Sequence, residues 1–397
     1  MNLVRKAKSA LGSAPLRVLV VPDKFKGTLS AAEACAAMVK GWKSARADDQ
    51  LHSLPMSDGG DGFGEVLGQL HGARLRSVRT CDAARQPIRA QWWWVADRKL
   101  AILEAARVIG LALLPPRKFH PFQLDTFGLG RVLAAAVGAG ARKCVIGIGG
   151  SATNDGGFGL ARALGWKFRD RRGRVLEEWP SLRELAAVEP PGRRWRLDLT
   201  VAVDVANPLL GRRGCTRVYG PQKGIGPAEV PPAEQCLRQL KTVLERTLDR
   251  KLAELPGAGA AGGLGFGLMA FAGAEPRSGF EVFARAALLE RHVRRSDLVI
   301  TGEGAVDRQT WMGKGVGEVM GLCRKWNLPC LTFAGTVEPD WGMGRPGSRI
   351  LALTDLTSLE EARRRPAHYL ERLSAQAARD LGSFGAAAGS RGAAGRE

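Results

Sequence analysis

The chain has 397 residues, of which 45% are hydrophobic and 25% are charged, as in ordinary soluble globular proteins. This length is enough for two domains. No apolar run reaches the roughly 18 residues that a membrane-spanning helix needs, and the N-terminal residues lack the apolar core of a secretory signal. The sequence therefore predicts a protein that does not act at a membrane.

The cysteines and the net charge further limit the class of protein to which the chain can belong. Seven cysteines are scattered without paired Cys-x-x-Cys spacing, which argues against a disulfide framework or a zinc site and favours the cytoplasm. The net charge of +20 is compatible with nucleic-acid binding, but acidic and apolar residues interleave with the arginines and no aromatic stripe accompanies them. We expect no nucleic-acid partner, and we interpret the basic residues as solvated helix faces that also attract anionic substrates.

The first predicted strand, residues 17–21, leads into a loop that contains Asp23 and Lys26. Ser30 and Glu33 then have the spacing of a capping box, which predicts a helix. In open parallel sheets, ligands bind beyond the carboxyl ends of the strands. The loop is therefore a candidate binding loop, with a plain solvated loop as the alternative.

The next segments predict a turn, two strands and a helix. An acidic glycine turn covers residues 57–62, and antiparallel strands are predicted over residues 87–96 and 100–104. The three tryptophans at positions 92–94 indicate strand packing rather than a base-stacking platform, because neighbouring side chains in a strand face opposite ways. A helix is predicted from residue 127 to residue 139.

The most informative stretch runs from residue 143 to residue 164, where a β-branched run breaks into a glycine-rich turn and then into a helix. Such a turn directs backbone N–H groups to one point at the positive end of a helix dipole, and this favours a phosphate-binding site. A tight turn with an Asn or Asp helix cap is the alternative. A second glycine turn opens a helix within residues 256–267. The candidate nucleotide-binding residues of the two turns are Gly149, Gly150, Ser151, Thr153, Asn154, Asp155, Gly259, Gly262 and Gly263.

Further along the chain, a predicted strand over residues 197–203 ends at Asp204, and a glycine-proline loop contains Lys223. A buried strand over residues 297–301 runs into Glu303 and Asp307. The remaining predicted elements are a helix over residues 233–253, strands over residues 330–334 and 349–353, and a closing helix over residues 359–381.

This set of side chains fits phosphoryl transfer. No Gly-x-x-x-x-Gly-Lys-Ser/Thr sequence is present, which excludes a P-loop, and no Gly-x-Gly-x-x-Gly follows the first strand, which weakens a dinucleotide site. Phosphoryl transfer needs backbone amides and lysines for the phosphates, carboxylates for Mg²⁺, and one carboxylate to accept a hydroxyl proton. Glycine turns, lysines in turns and carboxylates at strand ends supply these groups here.

Seven motifs, in order, resemble those of the type I glycerate kinase family over about residues 17–381. They read PDKFKGTLSA, SDGGDG, GGSATNDGG, DVANPL, GPQKG, GAGAAGGLG and ITGEGAVDRQT. The resemblance implies ATP-dependent phosphorylation of D-glycerate, typically at the 2-hydroxyl. It also implies two α/β domains, of which the first is Rossmann-like and discontinuous, with the active site in the cleft between them.

We therefore predict an α/β protein that uses ATP and Mg²⁺ on a small-molecule substrate, glycerate or a related hydroxy-acid, and that can form a homo-oligomer. A Rossmann-like domain is predicted over residues 17–66 and 294–381 and a mixed α/β domain over residues 67–293, flanked by a basic N-terminal extension (residues 1–16) and a disordered tail (residues 382–397). The predicted roles are Asp204 as base with Asp23 as the alternative, Lys26 and Lys223 for phosphate or acceptor carboxylate, and Glu303 and Asp307 for Mg²⁺.

Several residues depart from the family pattern. Ile109 replaces a serine, Phe63 and Asp125 each replace a threonine, and the sequences of residues 119–122 and 126–131 also differ. Most of these changes exchange a polar or charged group for an apolar one. If this region borders the acceptor, each lost hydrogen-bonding partner weakens acceptor binding by about 1–3 kcal/mol. The alternative is that these positions lie away from the acceptor and have changed without a functional consequence. A catalytically reduced homologue that binds a nucleotide or a sugar-acid as a sensor therefore stays open as a second hypothesis.

Overall fold

The computed structural model describes residues 14–192, 196–311, 315–339 and 348–381. The chain forms two compact units. We call Met1–Ser57 with Phe283–Glu397 the terminal unit and Asp58–Val282 the central unit. The predicted tail, residues 382–397, and residues 1–13 of the predicted extension lie outside the described residues.

The described part of the chain contains thirteen strands: β1 (Arg17–Val20), β2 (Gln50–Ser53), β3 (Arg74–Cys81), β4 (Pro87–Val95), β5 (Leu100–Glu104), β6 (Lys143–Gly147), β7 (Lys167–Asp170), β8 (Leu185–Glu189), β9 (Asp198–Ala202), β10 (Glu275–Arg277), β11 (Leu298–Val306), β12 (Cys330–Val337) and β13 (Ser348–Ala352).

The same residues form fourteen α-helices: α1 (Ala31–Ala45), α2 (Phe63–Leu70), α3 (Ala106–Ile109), α4 (Phe127–Gly138), α5 (Phe158–Ala163), α6 (Cys215–Tyr219), α7 (Val230–Leu248), α8 (Ala260–Ala272), α9 (Gly279–Ala286), α10 (Leu289–Arg295), α11 (Arg308–Trp311), α12 (Gly315–Lys325), α13 (Leu359–Arg364) and α14 (Pro366–Arg379). None of these helices is both long enough and apolar enough to cross a bilayer.

The terminal unit is built on a five-stranded sheet in the order β13-β12-β11-β1-β2. Every pair in it is parallel, so strands from both ends of the chain share one sheet. Helix α1 begins at the predicted capping box, in which Ser30 Oγ accepts the Glu33 N–H at 3.2 Å. The buried face of α1 packs on α14, where the Ser374 hydroxyl donates to the Met38 carbonyl at 2.7 Å. A hydrophobic core thus forms between this helix pair and the sheet.

The central unit contains a six-stranded mixed sheet in the order β10-β9-β6-β5-β4-β3. Strands β10, β9, β6 and β5 are parallel, whereas β4 and β3 are antiparallel. Trp92 and Trp94 belong to the main core of this unit, while Trp93 faces Gly64 and Gly68 of α2, where a Cβ would lie 2.0 and 2.4 Å from its ring. The prediction that the tryptophans pack a strand is confirmed, as is the α/β fold class.

Two features differ from the sequence-based expectation. The units divide after Ser57 and Val282, whereas residues 66 and 293 were the expected domain ends; α2 belongs to the central unit because Trp93 packs against it. The single closing helix predicted over residues 359–381 was wrong, since the chain forms α13 and α14 instead. Arg365 has φ −132° between them, because the residue before a proline, here Pro366, avoids the helical conformation.

Candidate active site

The loops of the central unit that carry polar residues follow adjacent parallel strands. Glu104 at the end of β5 pairs with Gly147 at the end of β6, and Gly147 pairs with Ala202 at the end of β9. The carboxyl ends of the three strands therefore lie at one edge of the sheet. Ligands of open α/β sheets bind beyond this edge, and the glycine turn after β6 and the loop holding Asp204 both start there.

The central contact of this edge joins Lys223 to the glycine turn. Its ammonium group donates to Ser151 Oγ at 3.2 Å and to the Thr153 carbonyl at 2.7 Å, and Ser151 Oγ donates to the Ala261 carbonyl at 3.2 Å. Lys223 is 7% exposed, and burial lowers the pKa of its side chain to about 8. Within the described residues, it forms no ion pair with a carboxylate. A buried cation with a remaining N–H donor is suited to an anionic ligand.

The two predicted glycine turns pack directly on each other. The Gly156 N–H donates to the Gly262 carbonyl at 3.1 Å, and a Cβ at Gly262 would lie 2.0 Å from the Thr153 carbonyl oxygen. A Cβ at Gly263 would lie 2.9 Å from the Gly156 Cα, and one at Gly259 would lie 2.3 Å from the Pro208 carbonyl oxygen. Because protein backbone fills these spaces, the absence of side chains at Gly262 and Gly263 lets the two turns approach each other, while Gly259 makes room for the backbone of residues 207–208.

Asp155 holds the glycine turn from the inside. Its Oδ2 accepts the Thr126 N–H at 2.9 Å, the Thr126 hydroxyl at 2.8 Å and the Gly159 N–H at 2.9 Å, and its Oδ1 accepts the Gly157 N–H at 3.1 Å. Burial raises the pKa of the Asp155 carboxyl group. Asn154 is also buried and donates to Thr216 Oγ1 at 3.0 Å. These contacts use both side chains within the protein, and a direct contact of either with a nucleotide stays a prediction.

The turn over residues 58–62 lies against the same edge. The Gly149 N–H donates to the Gly59 carbonyl at 3.3 Å, and a Cβ at Gly150 would lie 2.7 Å from Asp61 Oδ1. Glu104 anchors this turn, because its carboxylate accepts the N–H groups of Gly62 at 3.1 Å and Gly64 at 2.9 Å. Sequence reasoning missed Glu104, although it lies at a strand end, which is the signal that singled out Asp204.

Asp204 follows β9 by two residues and lies beside this turn. Its Oδ1 accepts the Gly279 N–H at 3.0 Å, and a Cβ at Gly59 would lie 3.1 Å from its Oδ2. The central unit therefore brings Asp204, the 58–62 turn and the 149–155 turn to one sheet edge. The 149–155 turn also contacts Lys223 and the 259–263 turn.

The terminal unit forms a separate group from its own predicted residues. The Asp23 N–H donates to the Gly302 carbonyl at 2.8 Å, and a Cβ at Gly304 would lie 3.0 Å from the Lys26 backbone nitrogen. The loop after β1 therefore runs alongside β11, which carries Glu303. The expected convergence of this group with that of the central unit stays a prediction.

The predicted magnesium ligands share one neighbour. Glu303 Oε1 accepts the Thr310 hydroxyl at 2.8 Å, and Asp307 Oδ1 accepts the Thr310 N–H at 3.4 Å. In the described ranges, no three His, Cys, Asp or Glu side chains cluster as a complete metal site. Protein sites for Mg²⁺ commonly supply only one or two carboxylates and leave the other positions to substrate phosphates and water. A set of two carboxylates is therefore compatible with this ion, and the role of Glu303 and Asp307 stays a prediction.

Four of the residues that depart from the family pattern have contacts that explain them within the fold. Ile109, Leu129 and Phe63 are 0% exposed, and the Phe63 ring faces Gly147, where a Cβ would lie 2.5 Å from it. Asp125 pairs with Arg85, whose Nε donates to it at 2.9 Å. At these positions, the apolar side chains fill the core and the new carboxylate has a cationic partner.

Comparison with known proteins agrees with this architecture. The family model described as the glycerate kinase family matches residues 18–382. The chain belongs to the glycerate kinase family. It is 36% identical to the glycerate 2-kinase of Escherichia coli K12 over 87% of this chain and 93% of that protein. It is likewise 36% identical to the glycerate kinase of Bacillus subtilis 168 over 82% and 86% of the two chains.

A crystal structure from Salmonella typhimurium LT2, of a protein assigned as glycerate kinase 2, superposes with a TM-score of 0.77 at 31% identity. The match covers 94% of this chain and 99% of that chain. The family resemblance drawn from the seven motifs is thus confirmed, and with it the class of phosphotransferases that act on an alcohol group. The residue roles stay predictions.

Proposed function

We propose that this member of the glycerate kinase family transfers the γ-phosphoryl group of ATP to the 2-hydroxyl of D-glycerate in the cytoplasm. The observation that carries the proposal is the buried ammonium group of Lys223, which contacts Ser151 and Thr153 but has no carboxylate partner within the described residues. Burying an unpaired charge is costly. An anionic group of a substrate would offset that cost.

Ser151 and Lys223 are the side chains that we propose to touch an anionic group. Both lie at the carboxyl edge of the central sheet, and the packed turns around residues 149–157 and 259–263 fix them. Asp155 then acts as a positioning residue, because its four hydrogen bonds hold the turn and leave its carboxylate inside the protein.

For the acceptor, we propose Asp204 as the base that takes the proton of the reacting hydroxyl. The Gly279 N–H fixes one of its oxygens at 3.0 Å, so the carboxylate has a defined direction. General-base catalysis by a positioned carboxylate contributes about 10²–10⁴-fold to such a reaction. Asp23 of the terminal unit is the alternative base.

Glu303 and Asp307 would hold Mg²⁺, as two oxygen donors linked through Thr310. When bound, this ion neutralises charge on the phosphate oxygens. Lys26, on the loop after β1, would add a cation for a phosphate or for the acceptor carboxylate.

The test is a coupled assay of ADP release from ATP and Mg²⁺ with a panel of small hydroxy-acids that includes both enantiomers of glycerate. We expect turnover with D-glycerate, and ³¹P NMR of the product should place the phosphate on the 2-oxygen. Turnover with a different hydroxy-acid and none with D-glycerate would show that the proposed substrate is wrong and would identify the actual one. If the protein binds ATP and releases no ADP with any member of the panel, the sensor hypothesis replaces the kinase.

A further inference from the structure

His120 makes two different hydrogen bonds with its ring nitrogens. Nδ1 accepts the Phe122 N–H at 3.2 Å, which assigns the ring proton of the neutral side chain to Nε2. Nε2 lies 2.6 Å from Glu229 Oε1 and therefore donates to it. This bond joins a short 3-10 turn, Pro121–Gln123, to a segment 109 residues further along the chain.

Glu229 is held at both of its oxygens. While Oε1 accepts from His120, Oε2 accepts the Gly226 N–H at 2.7 Å. An isolated pair of charged side chains on the surface contributes little to stability. Here, however, one carboxylate accepts hydrogen bonds from both a side chain and a backbone amide. The contact therefore fixes the course of the main chain around Gly226.

Lys223 directly precedes this fixed segment. The 3-10 turn Pro221–Lys223 ends at Gly224, whose φ is +95°. A Cβ at Gly224 would lie 3.5 Å from Pro121 Cγ, so Pro121 packs over Gly224. The His120 turn thus contacts the segment at Gly224 through packing and at Gly226 through Glu229, on the C-terminal side of Lys223.

We propose that His120 and Glu229 form a positioning pair for Lys223. The pair holds residues 224–226 against the Pro121–Gln123 turn, and this keeps the Lys223 ammonium group on Ser151 and Thr153. The proposal rests on the anion-binding role of Lys223 in the proposed function. Neither His120 nor Glu229 touches the reacting groups.

The experiment compares three single variants by steady-state kinetics. In His120→Asn, the shorter amide can still accept the Phe122 N–H but cannot reach Glu229. In His120→Gln, the side-chain amide places an N–H near the position of Nε2. His368→Asn is the matched control, because His368 is exposed on α14 of the terminal unit.

KM is measured for both ATP and D-glycerate. For the one that Lys223 binds, we expect His120→Asn to raise KM about fivefold to tenfold and to leave kcat within about twofold of the wild-type value. His120→Gln should restore KM to within about twofold of the wild-type value, and His368→Asn should leave both constants unchanged. Combining His120→Asn with Glu229→Gln should add no further loss, because the two changes remove the same bond. A wild-type KM in His120→Asn, or a fall in kcat alone, would overturn the proposal.

Failure of the proposed function would be seen separately, as absence of turnover in the wild-type protein. The pair is then judged by amide hydrogen exchange and by the Lys223 side-chain pKa, measured with ¹³C-labelled lysine. His120→Asn should speed exchange at Gly226 and shift that pKa, and His120→Gln should do neither. Unchanged exchange and an unchanged pKa in His120→Asn would overturn the positioning role without reference to catalysis.

Discussion

The ammonium group of Lys223 lies 3.2 Å from Ser151 Oγ, although 72 residues separate the two in the chain. This contact joins the glycine turn after β6 to the glycine-proline loop that carries the lysine. Each of these two loops, taken alone, was weak evidence for a binding site in the sequence. In the structure they form one site, and the contact between them buries Lys223.

Lys223 should give substrate binding a dependence on pH. Burial lowers the pKa of its side chain to about 8, and only the protonated form attracts an anion. KM for the substrate that it binds should therefore rise about tenfold for each pH unit above pH 8. Lys223→Arg stays charged and should remove this inflection, whereas a KM of the wild-type protein that stays constant from about pH 7 to about pH 10 would contradict the assignment.

The same pKa predicts how the stability of the free protein changes with pH. The folded value of about 8 lies below the ordinary value of 10.5, so the unfolded chain binds more protons between these two values. The free energy of unfolding should then rise with pH across that window. Urea unfolding at several pH values measures this slope, and Lys223→Met should remove the contribution of this residue.

Asp204→Asn should abolish most of the turnover without unfolding the protein. The amide oxygen can still accept the Gly279 N–H, but it cannot take a proton, so kcat should fall about 10²–10⁴-fold with KM nearly unchanged. Asp198→Asn, at the exposed start of β9, is the matched control and should behave like the wild-type protein. Unchanged kcat in Asp204→Asn would transfer the role of base to Asp23.

Arg85 should contribute to the stability of the folded protein because its guanidinium group neutralises the charge of the Asp125 carboxylate. Arg85→Gln leaves the Asp125 carboxylate near the buried Asp155, whose pKa Asp125 helps to raise. We expect a loss of about 1.5–3 kcal/mol in the free energy of unfolding. The double variant Arg85→Gln with Asp125→Thr should recover most of it, and equal losses in the single and double variants would rule out compensation.

Gly262→Ala should disrupt the packing of the two glycine turns. Its φ is +69°, and the new Cβ would lie 2.0 Å from the Thr153 carbonyl oxygen, so the backbone must move at a cost of about 1–3 kcal/mol or more. Thermal unfolding should show a lower midpoint and the kinase assay a loss of activity. Gly138→Ala is the control, since nothing lies within 4 Å of its Cβ position, and the interpretation fails if both variants have the same midpoint.

The sequence by itself was sufficient for the α/β class, the family and most elements. Alternation and β-branched runs predict strands such as β6 and β9 because burial on a sheet selects those side chains. The capping box of Ser30 and Glu33 predicts the start of α1 because it acts within a single turn. Such elements can be predicted from the sequence because the interactions that form them are between near neighbours in the chain. The closing helix was predicted wrongly because the effect of Pro366 on Arg365 was disregarded.

Tertiary structure alone decided which partners the polar side chains of the candidate site have. Asp155 and Ser151 lie four residues apart in one glycine turn, yet the carboxylate is used inside the protein and the hydroxyl meets Lys223. Gly262 of the second turn leaves room for the Thr153 carbonyl group, which belongs to a different glycine turn far away in the chain. Such pairings arise from long-range packing, which spacing in the sequence does not encode.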